Sequence, residues 1–225
     1  MQHIHLWQVV GLAILIAAMV YFKRQQNAQK GPPAKGGKAG EAGPKRAAKM
    51  ALATNKDPET EYMDLRRQAI ETTAENLGVA DPKGNQVFGT VMEMGIPNSV
   101  VTLACFADGD ASLYYKTGGG MIGGIGHENV RKAAAEFTTL ARKAVARMTR
   151  TTEYPLPEPD RVRFYVLTAR GVFTTETDRE TLADPGSDLG ALFYSGQEVV
   201  SQMREVQEQK ARPASRAPAP DEAEP

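Results

Sequence analysis

The chain has 225 residues, 41% hydrophobic and 24% charged, with a formal net charge of zero and one cysteine. That composition excludes a collagen-like, disulfide-rich or wholly disordered protein, and a lone cysteine permits no intrachain disulfide. The neutral total hides an asymmetry: residues 23–49 carry eight Lys and Arg against Glu41 alone, the last sixteen residues balance, and the body between is net acidic.

Residues 6–22, LWQVVGLAILIAAMVYF, hold no charge and one polar side chain, Gln8. As a helix they span roughly 26 Å, close to the hydrocarbon thickness of a bilayer, with Trp7 at one end and Tyr21 and Phe22 at the other as interfacial rings. Residues 1–5 contain no Lys or Arg, whereas Lys23, Arg24, Lys30 and five further cations follow. A cleaved secretory signal has its basic residues first, and the basic flank of a span normally faces the cytoplasm. The expectation is a single transmembrane helix over 1–24, a short external N-terminus and a cytoplasmic body; the alternative is an uncleaved export signal that carries the body outward.

Residues 25–56 follow as a tether. From Gln25 to Lys49 they are mainly Gly, Pro, Ala, Lys and Gln, without an aromatic or branched apolar residue, and cannot bury enough surface to offset their ordering entropy. Their cations either attract anionic lipid or only set topology and solubility. The tail, 210–225, is rich in Pro and Ala and reads the same way. A globular domain is expected over 57–209.

Within that domain, Asp57-Pro58 reads as an N-cap and first-turn proline, and Gly78 as the stop of a helix over 58–77 whose apolar side holds Tyr62, Met63, Leu65, Ala69, Ile70 and Leu77. Three strands follow, 86–94, 99–107 and 111–117, the last two joined by Asp108-Gly109, a strong hairpin signal. After a glycine-rich stretch, Val130, Ala133, Ala134, Phe137, Leu140, Ala141, Ala144, Val145 and Met148 keep a helical period, with a basic opposite face. Two more strands, 161–168 and 172–176, meet at Ala169-Arg170-Gly171, and a final helix from Ser187 or Asp188 carries Gly190 and Gly196, which weaken or bend its first half. Tight turns join antiparallel neighbours, so the fold class is α+β: one five-stranded antiparallel sheet with about three helices covering at least one face. This order of elements over about 58–208 resembles the profilin-like domains of the roadblock and longin families. Members of those families mostly act as scaffolds that bind small GTPases or dimerise, so the resemblance implies a binding role and carries over no site residue.

The candidate site is the stretch Gly118, Gly119, Gly120, Met121, Ile122, Gly123, Gly124, Gly126 with Arg131 and Lys132 just beyond. Gly118, Gly120 and Gly123 satisfy G-x-G-x-x-G ahead of a helix, where free amides hold phosphate. The next strand lies too far on and ends without the acidic ribose partner, and no Gly-Lys-Ser/Thr follows, which argues against both a dinucleotide fold and a P-loop. What remains is a connector that packs or meets a partner, or a generic anion site; two cations in a helix's first turn oppose its dipole unless something negative is there. No catalytic residue, metal site or cofactor is expected: His127 is the one histidine of the body, Cys105 lies in an apolar strand, and no Cys or His pair has ligand spacing. The expected partners are the membrane and a protein or second copy. The acidic body without interleaved aromatics argues against nucleic acid.

Overall fold

Ten residues from Val87 to Ile96 form β1, and nine of them are buried. Burial on both faces explains why their sequence alternates only loosely: a strand covered above and below has no polar side to declare. In the computed structural model, which describes residues 57–79, 83–84 and 86–211, β1 lies at the middle of a seven-stranded sheet. These residues all belong to one compact unit.

β1 turns through Pro97 and Asn98, the latter in left-handed backbone at φ 61°, into β2 (Ser99–Phe106). The predicted Asp108-Gly109 turn then leads to β3 (Ala111–Tyr115), with the Asp110 N–H donating to Asp108 Oδ1 at 3.0 Å. β4 is only Gly120–Met121 and β5 only Thr149–Thr151, while β6 (Arg161–Thr168) and β7 (Gly171–Asp178) are full hairpin strands. The order across the sheet is β4-β3-β2-β1-β6-β7-β5, and every pairing is antiparallel. The expected α+β class, antiparallel sheet and three helices are present. The strand count is corrected from five to seven, because two- and three-residue strands are too short to show any period.

Helices cover both faces. On one side lie α2 (Glu128–Ala144) and α3 (Asp188–Ala211). The predicted apolar stripe of α2 is buried through Val130, Ala133, Ala134, Phe137, Ala141 and Ala144. Gly196 of α3 opens room there: a Cβ at that position would lie 2.7 Å from Met92 Cε and 3.1 Å from the Phe137 ring. This glycine serves close helix–sheet packing, beyond the weakening expected of it.

The other face carries α1 (Pro58–Ile70), capped by Asp57, whose carboxylate accepts from the Thr60 N–H at 3.0 Å. The helix stops seven residues short of the expected Leu77. Thr73 donates its N–H to the Asn76 side chain instead of continuing the helix, and a separate 3-10 turn, Glu75–Leu77, reaches Gly78. Met63, expected on the apolar side, is 41% exposed; Tyr62, Ala69 and Ile70 pack with Val91, Val100, Ala104, Phe106 and Leu167. Beside α1, the segment from Tyr154 to Asp160 crosses this same face. Among the described residues no helix is long and apolar enough to cross a membrane, and the expected anchor at 6–22 and tether at 25–56 lie outside them.

Candidate functional site

The glycine stretch divides into two parts. Gly118 and Gly119, at φ 98° and 84°, make the turn after β3, with the Gly118 N–H donating to Tyr115 O at 2.8 Å and the Tyr115 N–H to Gly119 O at 3.0 Å. Side chains other than glycine are strained in that backbone, so the turn explains this pair. Gly120 then opens β4, so close to β3 that a Cβ would strike the Leu113 carbonyl oxygen.

Gly118, Gly119, Gly120 and Ile122 line a cleft of about 210 Å³ whose other wall is α1, with Glu61, Tyr62 and Leu65, and whose floor includes Tyr114. Met121, half-buried, is not part of that lining. Gly123, Gly124 and Gly126 lie beyond it, around a 3-10 turn of Gly124–Gly126 that leads into α2. Arg131 and Lys132 are on α2 and also outside the cleft; both pair with Glu128, Lys132 at 3.6 Å, and the Arg131 stem packs over Gly109. Glu128 in the first turn thus accounts for both cations without a bound anion.

Behind the cleft lies a polar network that the sequence reading missed. Tyr62 is buried and its hydroxyl meets Thr102 Oγ1 at 2.8 Å; Thr102 in turn donates to Glu93 Oε1 at 3.1 Å. Arg66 grips the same carboxylate with two bonds, Nε to Oε1 at 2.6 Å and Nη2 to Oε2 at 2.9 Å. Its Nη2 also reaches the Pro155 carbonyl at 3.2 Å, and the Tyr165 hydroxyl donates to that carbonyl at 2.6 Å. Glu93 is fully buried and Arg66 nearly so. The network therefore fastens three elements together: α1, the sheet and the crossing segment. Both ends of it were visible in the sequence. Arg66 sits four residues from Tyr62 and four from Ile70, inside the buried stripe of α1, and Glu93 is the one charge in β1.

Electrostatics agree with a structural role. Burial lowers the affinity of Arg66 for its proton and the Glu93 carboxylate more than restores it. Tyr62 is held neutral by burial and by the carboxylate of Glu93. For Tyr165 the same two causes push the phenol up to about 12. Unfolded, it ionises near 10, so the native state alone keeps that proton between the two values. The stabilisation is whole below about pH 10 and lost as pH rises through about 12. We expect an ultraviolet titration to show Tyr62 and Tyr165 ionising only as the domain unfolds.

Among the described residues, neither candidate for histidine or thiol chemistry has a partner for it. His127 is the N-cap of α2, lowered by burial and by the nearby Lys210 charge, and Cys105 is wholly buried, which raises its thiol well above the ordinary range. No group of three metal-ligating side chains occurs among the described residues. Compared with known proteins, the chain matches no protein-family model, no curated protein and no solved structure.

Proposed function

We propose that the chain is a single-pass membrane protein whose α+β domain stands on the cytoplasmic side as a binding or scaffold module, with the glycine stretch and the adjoining wall of α1 as its contact surface. The observation that carries this reading is the lining of the cleft: aromatic rings, aliphatic side chains and glycine backbone, one carboxylate, and no histidine, cysteine, lysine or arginine. Such a surface can hold apolar chain, and its lining has no cation to hold an anion. A protein partner fits it, either a small GTPase, as the resemblance to roadblock and longin domains implies, or a second copy. The anchor at residues 6–22 supports recruitment to a membrane as the purpose of that contact.

The second reading is a sensor or enzyme that holds a phosphorylated ligand at the same loop. It draws on the start of α2, where His127 makes no side-chain cap and Lys132 is close by. The two readings separate in a thermal-shift screen of the full chain in detergent against nucleotides and inorganic phosphate. A ligand that binds only the native state raises its melting temperature. The scaffold reading expects no rise; a rise that disappears in Lys132→Ser overturns it. Protease added outside sealed cells or vesicles tests the orientation, with the domain expected to survive until the membrane is opened.

A further inference from the structure

We infer that the basic end of α2, together with β5 and the turn between β6 and β7, is a docking surface for an anionic lipid leaflet, on which the domain settles with its cleft turned away. The inference rests on the reading of a membrane-anchored domain and adds which side of it meets the lipid.

Residues 137–152, FTTLARKAVARMTRTT, contain Arg142, Lys143, Arg147 and Arg150 and no acid, although the body as a whole is net acidic. All four cations are exposed, and so is Arg170. The fold gathers them. Arg142 and Lys143 close α2, Arg147 follows in a 3-10 turn, and Arg150 lies on β5. Arg150 shares a register row with Phe173, Val166 and Thr90, and Thr90 is two residues from Met92, which lies against Gly196 of α3. Arg150 therefore belongs to the sheet face that carries α2 and α3. Its guanidinium lies over Gly171, where a Cβ would sit 2.9 Å from Nε, and Arg170 is the next residue along the turn. Among the described residues, Arg147 alone of the five has an ion-pair partner, Asp188 at 3.0 Å.

The helix dipole accounts for part of this cluster. Cations in the last turn of α2 complement its negative end, which explains Arg142 and Lys143. Arg150 and Arg170, on a strand and a hairpin turn, have no helix end to serve. The exposed side chains between the cations, Thr139, Ala146 and Thr149, are small. Such a surface suits phosphate headgroups and offers no ring on which a nucleic-acid base could stack. The α1 side has the opposite sign: residues 57–77 hold Asp57, Glu59, Glu61, Asp64, Glu71 and Glu75 against Arg66 and Arg67. An anionic leaflet repels that side and attracts the end of α2, so charge sets the orientation. The cleft at β3 and β4 then lies at the far edge of the sheet, open to a partner. α1 begins beside β3, where Lys116 meets Glu59 at 3.1 Å, and the strand spacings from β3 to β5 amount to roughly 24 Å. A coil as long as residues 25–56 averages roughly 30 Å end to end, which lets an anchor at 6–22 coexist with this orientation.

Energy transfer to lipid in the full chain tests the assignment. Cys105 is wholly buried, so Ala146→Cys takes a fluorophore at the centre of the patch, and Met63→Cys takes one on α1. The labelled chains are reconstituted into vesicles with an acceptor lipid, made of phosphatidylcholine alone or with about 30% phosphatidylglycerol. Transfer from residue 146 should rise about threefold with phosphatidylglycerol and fall back in about 1 M salt, where the screening length is about 3 Å. Transfer from residue 63 should not rise. Arg142→Ser with Lys143→Ser, and Arg150→Ser with Arg170→Ser, should each lower the ratio of docked to free domain about tenfold or more, whereas Arg142→Lys with Arg150→Lys should keep it. Lys132→Ser with Lys210→Ser removes as much charge near the start of α2 and should change nothing. Equal transfer in the two lipids, a rise at residue 63 instead, or an equal loss in the Lys132 and Lys210 variant overturns the docking surface. A change at residue 146 on adding RNA or an acidic peptide, with no response to phosphatidylglycerol, overturns lipid as the occupant. A chain that washes off the vesicles in alkaline carbonate overturns the membrane anchor instead; salt-sensitive flotation of that chain with phosphatidylglycerol vesicles then supports the docking surface by itself.

Discussion

Replacing Arg66 by Met should lower stability at neutral pH by about 3–5 kcal/mol, the usual cost of leaving one member of a buried ion pair alone. The side chain that takes its place fills the space beside Tyr165 but brings no charge to a carboxylate that is fully buried on β1. Glu93→Leu alone should do similar harm by stranding the guanidinium. The double variant Arg66→Met, Glu93→Leu should recover most of the loss, since two well-packed apolar groups replace two desolvated charges. Urea denaturation of the four proteins yields the coupling directly. The pH dependence has a definite sign. Burial pushes the Glu93 carboxyl above its ordinary 4.5, and Arg66 and Thr102 only partly offset that. A group whose folded value is raised contributes stability that is present below the unfolded value and lost as pH rises through the folded one. Arg66→Met removes the main offset, so its deficit should shrink on acidification toward about pH 5 and widen toward about pH 8.

Gly95→Ala should cost about 3 kcal/mol, at the upper end for overpacking, because backbone and not a movable side chain stands in the way. A Cβ at Gly95 would collide with the Glu158 carbonyl oxygen and lie 3.2 Å from the Pro159 nitrogen. The crossing segment is docked there by the Asp160 N–H donating to Gly95 O at 3.1 Å, and Asp160 holds a left-handed φ of 61°. Lifting the segment would also pull the Pro155 carbonyl away from Arg66 and Tyr165, so damage at the strand end spreads into the buried pair. Hydrogen exchange at Asp160 and urea denaturation together read both effects. Gly126→Ala is the control: a Cβ there meets nothing within 4 Å, and the change should stay within about 0.5 kcal/mol.

The residues that declared the fold most clearly did so through a single dominant local cause. The α2 stripe faces one apolar surface along its whole length, and Asp108-Gly109 and Asp57-Pro58 have turn and cap chemistry that depends on few neighbours. What stayed hidden depends on contacts far apart in sequence. Glu93 is acceptable in the sheet interior only because Arg66 arrives from a helix 27 residues earlier, and Pro155 closes the group from 89 residues beyond Arg66. The end of α1 was misplaced because Thr73 and Asn76 compete for backbone bonds that period alone assigns to a helix. Of the candidate site, the glycine turn was legible and the cleft was not: its opposite wall comes from α1, and no spacing within residues 118–132 could announce it.

The outermost strands of the sheet are its shortest, β4 with two residues and β5 with three, while the long strands lie inside. A row of unpaired amides at the rim of a sheet is a template on which a neighbouring molecule can grow a strand, and uncontrolled growth of that kind leads to fibres. β4 follows a glycine turn too tight to extend pairing, and β5 runs into Pro155 and Pro157, which have no N–H to offer a ladder. Molecules of this kind are thereby kept from zipping together rim to rim at high concentration, and association between copies has to proceed through side-chain surfaces.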